Sequence, residues 1–399
     1  MVGFCDGSLS KIGTIYCDLP VFSKQDVFNR YGNDFVIFIT PNSPTKEEIQ
    51  IELLKEGFVK EHQILNFVPK EKMQKKYISC PDLRSVAVVA QDALYCCCCL
   101  PGDLSNQSPY VTLRNDSIKE NVRDFAVRRN ALMKELKEGH STCCDGCPKL
   151  QEGYWGDTTE KIKVLALSPS YPCQLSCIYC DVVSNARFMQ EHKDVVERAK
   201  ALDVIGVIQA MEEEDILDLQ EPIQVSGGEI TLYPKHKELL SFLSKYPLQI
   251  FSNAVIYDDQ IAQLIAREGS FLNVSIDAGT PETYHKIKGM DVFETVLQNI
   301  TKYKKQGGHI EIKYILMSEN CNQKDIDGFL EFCIQTKVDR VNISCDISID
   351  HSNLPQNILE AAIYMGQRVI QSGISYAVLP YFGKSNCDYI MEKLKSNVI

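Results

Sequence analysis

The sequence has no long apolar run and no excess of positive charge. Its hydrophobic stretches fall well short of the ~20 residues that span a bilayer. The opening residues, MVGFCDGSLSK, lack the basic start and apolar middle of a signal peptide. We therefore expect a cytoplasmic protein that does not enter a membrane. The net charge of -11 argues against a nucleic-acid partner, because such surfaces depend on clustered Lys and Arg.

A glycine-rich turn that would hold a dinucleotide is also missing from the first part of the chain. Asp34–Thr40 has the pattern of a buried strand, Thr45–Glu56 that of a helix and Gln63–Val68 that of a second strand. This order predicts a small half-Rossmann-like βαβ segment over residues 1–75, to which we assign no cofactor.

Cysteine, by contrast, is abundant. The chain has 17 cysteines, and in a reducing compartment they cannot be interpreted as a disulfide framework. A composition of 44% hydrophobic and 24% charged residues is that of a folded globular protein. Metal or redox chemistry is therefore the first hypothesis for function.

From Ile162 onward, short apolar runs alternate with amphipathic stretches, which is typical of β/α units around a parallel sheet. The predicted strands are Ile162–Ser168, Pro222–Ser226, Leu248–Ser252, Leu272–Ile276, His309–Leu316 and Arg340–Cys345. The predicted helices are His236–Tyr246, Asp258–Glu268, Val292–Lys305, Lys324–Lys337 and a closing helix near Gln356–Gln371. The pattern predicts an α/β fold with a partial (β/α)6 TIM-like barrel over residues 160–399.

Directly after the first barrel strand, Cys173, Cys177 and Cys180 lie on one loop with the spacing C-x3-C-x2-C. Three thiolates can hold three corners of a cubane iron–sulfur cluster and leave the fourth iron open. A zinc ion would need a fourth ligand nearby. A loop rich in Pro and Ser is also a poor place to bury three ordinary core thiols.

With Tyr179 just before the last cysteine, this loop resembles the signature of the radical S-adenosylmethionine (radical SAM) superfamily. The resemblance covers Ile162 to the C-terminus. It implies an oxygen-sensitive [4Fe-4S] cluster whose open iron is chelated by the amino and carboxylate groups of S-adenosylmethionine. It also implies that one electron breaks the sulfonium bond and yields a 5'-deoxyadenosyl radical, with flavodoxin or ferredoxin as the reductant.

The segment Gly227-Gly228-Glu229 follows the second predicted strand and resembles the family's GGE segment, which contacts the methionine amino group. Two glycines allow the backbone to come close, and a carboxylate suits an ammonium group. The family usually has Pro after the Glu, and Ile230 stands there instead.

Two later strand ends match the family in order, at the barrel edge where chemistry is housed. Ser252 and Asn253 occupy the place of polar contacts to the ribose or carboxylate of the cofactor. A simple turn is the alternative for Asn253. Ser275 and Asp277 resemble the segment that holds the ribose, and a helix cap is the alternative for Asp277.

Residues 76–157 contain eight of the cysteines and show little regular periodicity. A candidate four-ligand site consists of Cys80, Cys144, Cys147 and one member of the run Cys96–Cys99, for which Cys98 is assigned. Neighbours on a strand point to opposite faces, so at most one or two of the run can bind. The pattern resembles the SPASM or twitch auxiliary-cluster domains of radical SAM enzymes, although here it precedes the barrel. An auxiliary [4Fe-4S] cluster, a zinc site and no metal remain the alternatives.

We therefore expect a radical SAM enzyme that removes a hydrogen atom from a peptide or a sugar-derived substrate. An auxiliary cluster would anchor the substrate or accept an electron. One alternative is a radical SAM methyltransferase, for which Cys321 or Cys345 would have to carry the methyl group. The other is a non-catalytic metal-binding interaction protein. Beyond the ligands above, the sequence assigns no catalytic residue.

Overall fold

The structure is a computed structural model. It describes residues 4–5, 11–16, 19–31, 37–39, 53, 64–66, 76–90, 92–97, 110–147, 149–155, 160–168, 172–180, 193, 197, 200–346 and 353–396. The chain divides into two compact units, Met1–Lys76 and Tyr77–Ile399.

Within its described residues, the first unit contains two small sheets. Strand β1 (Phe4–Cys5) pairs in parallel with β3 (Leu19–Phe22), and β2 (Ile15–Tyr16) pairs with β3 in the antiparallel sense. Helix α1 (Lys24–Tyr31) follows, and β4 (Ile37–Ile39) pairs in parallel with β5 (Ile64–Asn66). The two strands predicted for this segment match β4 and β5. The helix predicted between them lies outside the described residues, except for Leu53.

The second unit is built on a ten-stranded sheet with the order β17-β16-β15-β14-β13-β12-β11-β7-β8-β9. Its strands are β7 (Val86–Ala90), β8 (Ala93–Tyr95), β9 (Tyr110–Thr112), β11 (Val164–Ser168), β12 (Ile223–Val225), β13 (Leu248–Phe251), β14 (Phe271–Ser275), β15 (Ile310–Leu316), β16 (Arg340–Cys345) and β17 (Ser375–Val378). All neighbours from β7 through β11 to β17 pair in parallel, whereas β8 and β9 are antiparallel. The six strands predicted for the barrel are β11 to β16, so the partial barrel is confirmed.

Helices connect these strands. They are α2 (Pro81–Ser85), α3 (Ile118–Glu138), α4 (Val204–Glu213), α5 (His236–Leu243), α6 (Asp259–Ile265), α7 (Pro281–Lys288), α8 (Phe293–Lys305), α9 (Gln323–Thr336), α10 (Gln356–Ser372) and α11 (Lys384–Ser396). The closing helix of the prediction corresponds to α10, but β17 and α11 follow it. The series therefore continues past the predicted end.

The middle of the chain is more regular than its sequence suggested. Helix α3 buries Val122, Phe125, Leu132, Met133 and Leu136 on one side, together with Arg129. Strands β7, β8 and β9 of residues 76–157 share one sheet with the strands of 160–399, because β7 pairs with β11 along its whole length. Helix α3 shows that the expectation of little regular periodicity in residues 76–157 was wrong. The division between 76–157 and 160–399 stays a prediction.

The short strands β6 (Tyr77–Ser79) and β10 (Gln151–Gly153) form an antiparallel pair at the two ends of this middle region. Arg129 is buried because its guanidinium donates to the carbonyl oxygens of Leu83, Arg84 and Glu160. These bonds hold α3 against the start of the barrel.

The two faces of the barrel strands differ in chemistry. Alternate side chains pack against the helices in one apolar core, among them Leu165, Ile223, Ile250, Val274, Ile312 and Ile343. The opposite face carries Gln224, Gln249, Asn273, Ser275, Lys313 and Asn342, in the register set by the parallel pairing. The buried Oδ1 of Asn273 has no hydrogen-bond partner among the described residues. A polar inner face suits a polar ligand better than a packed core.

Within the described residues, none of the helices is both long enough and apolar enough to cross a membrane.

Candidate active site

The three-cysteine loop follows β11 and is described from residue 172 to 180. Its start is fixed by the Glu229 amide, which donates to the Pro172 carbonyl at 3.0 Å. Further along, the Ser176 and Ile178 amides donate to the carbonyls of Lys288 and Ile287, each at 3.0 Å. The loop therefore lies between the segment after β12 and the end of α7.

The thiols of this loop are partly buried. Burial raises the pKa of Cys173 to about 11, and burial also raises the pKa of Cys177, an effect that nearby Lys288 opposes. Because iron binds thiolates, loading the site must release protons. A set of soft sulfur donors suits an iron–sulfur cluster.

No three His, Cys, Asp or Glu side chains in the described part of the chain lie close enough together to hold a single metal ion. The cysteines of a cubane bind separate irons, so they lie farther apart than the ligands of one ion.

Gly227 and Gly228 have φ angles of 91° and 110°, in the region that favours glycine. A Cβ on Gly227 would lie 2.3 Å from Ser168 Oγ and 2.8 Å from Ser168 Cα, so a larger residue would displace the end of β11. The two glycines thus let the segment after β12 pass directly beside the strand that leads into the cysteine loop.

Glu229 is completely buried, and groups of the chain occupy both of its oxygens. Oε1 accepts from the Thr231 amide and hydroxyl, Oε2 accepts from the Asn253 amide at 2.7 Å, and the Ser252 hydroxyl lies within 3.1 Å of both oxygens. Burial raises the pKa of Glu229, and these hydrogen bonds oppose the rise. The contact predicted from the sequence, with the ammonium group of the cofactor, stays a prediction, whereas the observed contacts fix the ends of two strands.

Replacing Glu229 with Gln is expected to lower the free energy of unfolding by about 1–3 kcal/mol, because the new NH2 group would face donors. Chemical denaturation measures the change. The exposed Glu238→Gln is the matched control and should shift stability by less than about 0.5 kcal/mol. Unchanged stability together with weaker S-adenosylmethionine binding would show instead that the carboxylate serves the cofactor.

Ser252 and Asn253 lie beside the cysteine loop, after β13. The Asn253 amide group donates to Cys173 Sγ at 3.6 Å and to Gln174 Oε1 at 3.2 Å. Its Oδ1 accepts from the Val255 amide at 3.0 Å, so the turn expected for Asn253 is also present. Ala254 completes this turn with a φ of 56°, unusual for a residue other than glycine.

Asp277 is buried and contacts Tyr179, which is partly exposed. The Tyr179 hydroxyl donates to Asp277 Oδ2 at 2.6 Å, and Lys288 Nζ lies 2.5 Å from the same oxygen. Asp277 is 0% exposed and has a φ of 58°. Burial, with the Asp277 carboxylate adding to it, raises the pKa of Tyr179 well above its usual range, so the hydroxyl keeps its proton.

The alternative role for Asp277, a helix cap, is not what the structure shows. Helix α7 is capped by Thr280, whose hydroxyl accepts from the Thr283 amide at 3.3 Å. Direct contact of Asp277 with ribose stays a prediction, and the carboxylate is already bonded within the chain. Ser275 lies two residues earlier, partly exposed on the inner face and in register with Lys313.

Two lysines of this site, Lys288 and Lys313, were given no role of their own from the sequence. Lys288 is almost fully buried against Asp277. Burial lowers the pKa of Lys313, although the nearby Asp277 carboxylate opposes this. The signal for Lys313 was present, because Lys313 and Glu311 alternate with the apolar residues of β15 and so indicate a polar inward face.

Several thiols of the middle region come into one neighbourhood. Cys80 is buried at the start of α2, and burial raises the pKa of its thiol, with a smaller contribution in the same direction from the nearby Cys147. Burial first, and then the neighbouring thiols Cys143, Cys97 and Cys147, raise the pKa of Cys144 to about 12. Cys98 lies outside the described residues.

The sequence around this site is similar to that of known proteins. The family model described as "Radical SAM superfamily" matches residues 167–346. GTP 3',8-cyclase of Synechocystis sp. is 26% identical over 175 residues, covering 43% of this chain and 50% of its own length. The corresponding enzyme of Aliarcobacter butzleri is 27% identical over 184 residues, covering 43% and 52%. The chain thus spans about half the length of the curated relatives it matches.

Among solved structures, SuiB of Streptococcus suis bound to S-adenosylmethionine is similar with a TM-score of 0.40 and 16% identity, covering 54% of this chain and 50% of that chain. The parallel barrel and the C-x3-C-x2-C loop after its first predicted strand are consistent with the family match. Residues 167–346, which contain the three-cysteine loop, therefore match the radical SAM superfamily.

Proposed function

We propose that this protein cleaves S-adenosylmethionine reductively and uses the resulting 5'-deoxyadenosyl radical to remove a hydrogen atom from a peptide or a sugar-derived substrate. The observation that carries the proposal is the placement of Cys173, Cys177 and Cys180. They lie at the carboxyl end of β11, held between the glycine segment after β12 and the end of α7. When bound, a [4Fe-4S] cluster would supply the single electron that breaks the sulfonium bond.

The chain's own residues contribute position and polarity. The three thiolates hold the cluster, and Gly227 and Gly228 leave room for a ligand to approach the backbone. Asn253 places an amide group beside Cys173 at the rim. The inner face of the barrel, with Lys313 and Asn342 in register, offers polar contacts to a substrate.

A nucleotide is a second candidate substrate class. It is favoured by the curated relatives, which are named GTP 3',8-cyclase, although their similarity extends over only about half of their length. Lys313, the lysine of the polar inner face, suits a substrate with negative charge.

The middle cysteines support a further proposal, an auxiliary [4Fe-4S] cluster held by Cys80, Cys144, Cys147 and one cysteine of the run 96–99. Of the two described members of that run, Cys96 is buried in the core, whereas Cys97 is partly exposed and lies near Cys144. Cys97 therefore joins Cys98 as a candidate for the fourth ligand. Four protein thiolates would leave no open iron, so this cluster would transfer electrons or stabilise the fold.

The experiment that tests the main proposal uses protein reconstituted without oxygen, with S-adenosylmethionine and either dithionite or reduced flavodoxin. We expect 5'-deoxyadenosine as a product. Candidate peptides, sugar nucleotides and GTP labelled with deuterium should then be compared, because only a true substrate transfers deuterium into 5'-deoxyadenosine. Transfer of a methyl group to substrate would favour the methyltransferase alternative. The absence of any cofactor cleavage would favour a non-catalytic metal-binding protein.

A further inference from the structure

Tyr179 of the cysteine loop forms a polar network with the buried side chains of Asp277 and Lys288. Lys288 Nζ lies 2.5 Å from Asp277 Oδ2 and donates to the Tyr179 hydroxyl at 2.7 Å. The side chains of Lys288 and Asp277 are 2% and 0% exposed. Removal of either charge would leave the other buried and uncompensated, so the two side chains act as one unit.

The network joins three parts of the site. Asp277 follows β14, and its Oδ1 accepts from the Ile315 amide of β15 at 2.6 Å. Lys288 is the last residue of α7, and Tyr179 belongs to the cysteine loop. The Tyr179 hydroxyl therefore ties the loop to a frame made of two strands and a helix.

Backbone contacts extend this tie on both sides of Cys177. The Ser176 amide donates to the Lys288 carbonyl, and the Ile178 amide donates to the Ile287 carbonyl. A Cβ on Gly289 would lie 3.2 Å from Ser176 Cβ, so the loop rests directly on the end of α7. Cys177, between Ser176 and Ile178, is held by bonds that need no metal.

We propose that Asp277 and Lys288 are positioning residues that act through Tyr179 to hold Cys177 and Cys180 in place before the cluster is assembled. This inference rests on the proposed function only in taking these cysteines as cluster ligands. A preformed loop loses less conformational freedom when the cluster binds, which favours loading.

Hydrogen–deuterium exchange of the metal-free full-length protein tests the inference without any cofactor cleavage. Tyr179→Phe removes the hydroxyl and leaves the Asp277–Lys288 pair intact. We expect the amides of residues 173–180, which follow Pro172, to exchange about tenfold faster in this variant. Reconstitution should also load less iron than in the wild type.

The matched control is Tyr303→Phe, which removes a different buried hydroxyl, one that accepts from the Asp258 amide at 2.9 Å. Exchange in residues 173–180 should stay within about twofold of the wild type in this control. A Lys288→Met/Asp277→Asn double variant removes both charges together and keeps an oxygen for the Ile315 amide. It should accelerate exchange in the same residues.

Two results would overturn the inference. One is unchanged exchange of residues 173–180 in Tyr179→Phe, and the other is equal acceleration in Tyr179→Phe and Tyr303→Phe, which marks general destabilisation. If the wild type cleaves no S-adenosylmethionine while the exchange follows the expected pattern, the proposed function fails and the positioning role stands.

Discussion

Replacing Cys177 with Ala is expected to abolish 5'-deoxyadenosine formation and to remove one cluster's worth of iron. Cys177 is the middle of the three loop cysteines, and a cubane held by only two protein thiolates would lose its anchoring. The loss should be complete rather than partial, because in the proposed reaction the electron that breaks the sulfonium bond would come from this cluster. Chromatographic detection of 5'-deoxyadenosine and an iron assay on the same sample measure both effects.

The control for this variant is Cys387→Ala. Cys387 is a partly exposed thiol on α11, and it donates to the Leu379 carbonyl outside the cysteine loop. Its removal should leave product formation and iron content near the wild-type values. A Cys177→Ala protein that still cleaves the cofactor would show that the loop is not the cluster site.

The middle region is expected to carry its own iron. The wild type should hold roughly eight irons per chain, and a variant with Cys173, Cys177 and Cys180 all changed to Ala should keep roughly four. The spectrum of the remaining cluster should not respond to S-adenosylmethionine, because four protein thiolates leave no open iron.

The converse variant, Cys144→Ala with Cys147→Ala, should lose the other four irons and keep the spectral response to the cofactor. These two cysteines form one turn, in which the Cys147 amide donates to the Cys144 carbonyl at 2.9 Å. A triple variant of the loop that retains no iron but about one zinc per chain would make the middle region a structural zinc site.

The barrel was predictable because its strands are short apolar runs separated by helices with one apolar side. Residues 310–316, for example, lie within a run predicted from the sequence, and their buried side chains pack on both faces. Helix α3 was missed, although its buried residues recur at helical spacing. Arg129 interrupts the apolar stripe, and the three carbonyl oxygens that allow its burial come from distant parts of the chain.

For the candidate site, the positions of the residues along the chain were predictable, whereas their side-chain partners were not. Motif spacing placed Glu229, Ser252 and Asn253 at strand ends, and in the structure these three residues lie in direct contact. It did not indicate what each side chain binds. The ion pair of Asp277 depends on Lys288, at the far end of a helix, and a pattern within one segment does not contain that pairing.

Two strand ends at the rim carry residues other than glycine in the left-handed region, Ala254 with a φ of 56° and Asp277 with a φ of 58°. Glycine adopts this conformation freely, whereas an L-residue with a side chain pays roughly 1–2 kcal/mol. At Asp277 the side chain that causes this cost also supplies the buried carboxylate that pairs with Lys288. A glycine there would relieve the backbone strain but would remove this carboxylate from the site. At Ala254 no such polar group is involved. A search for stabilised forms of this protein would therefore begin at residue 254 and leave residue 277 unchanged.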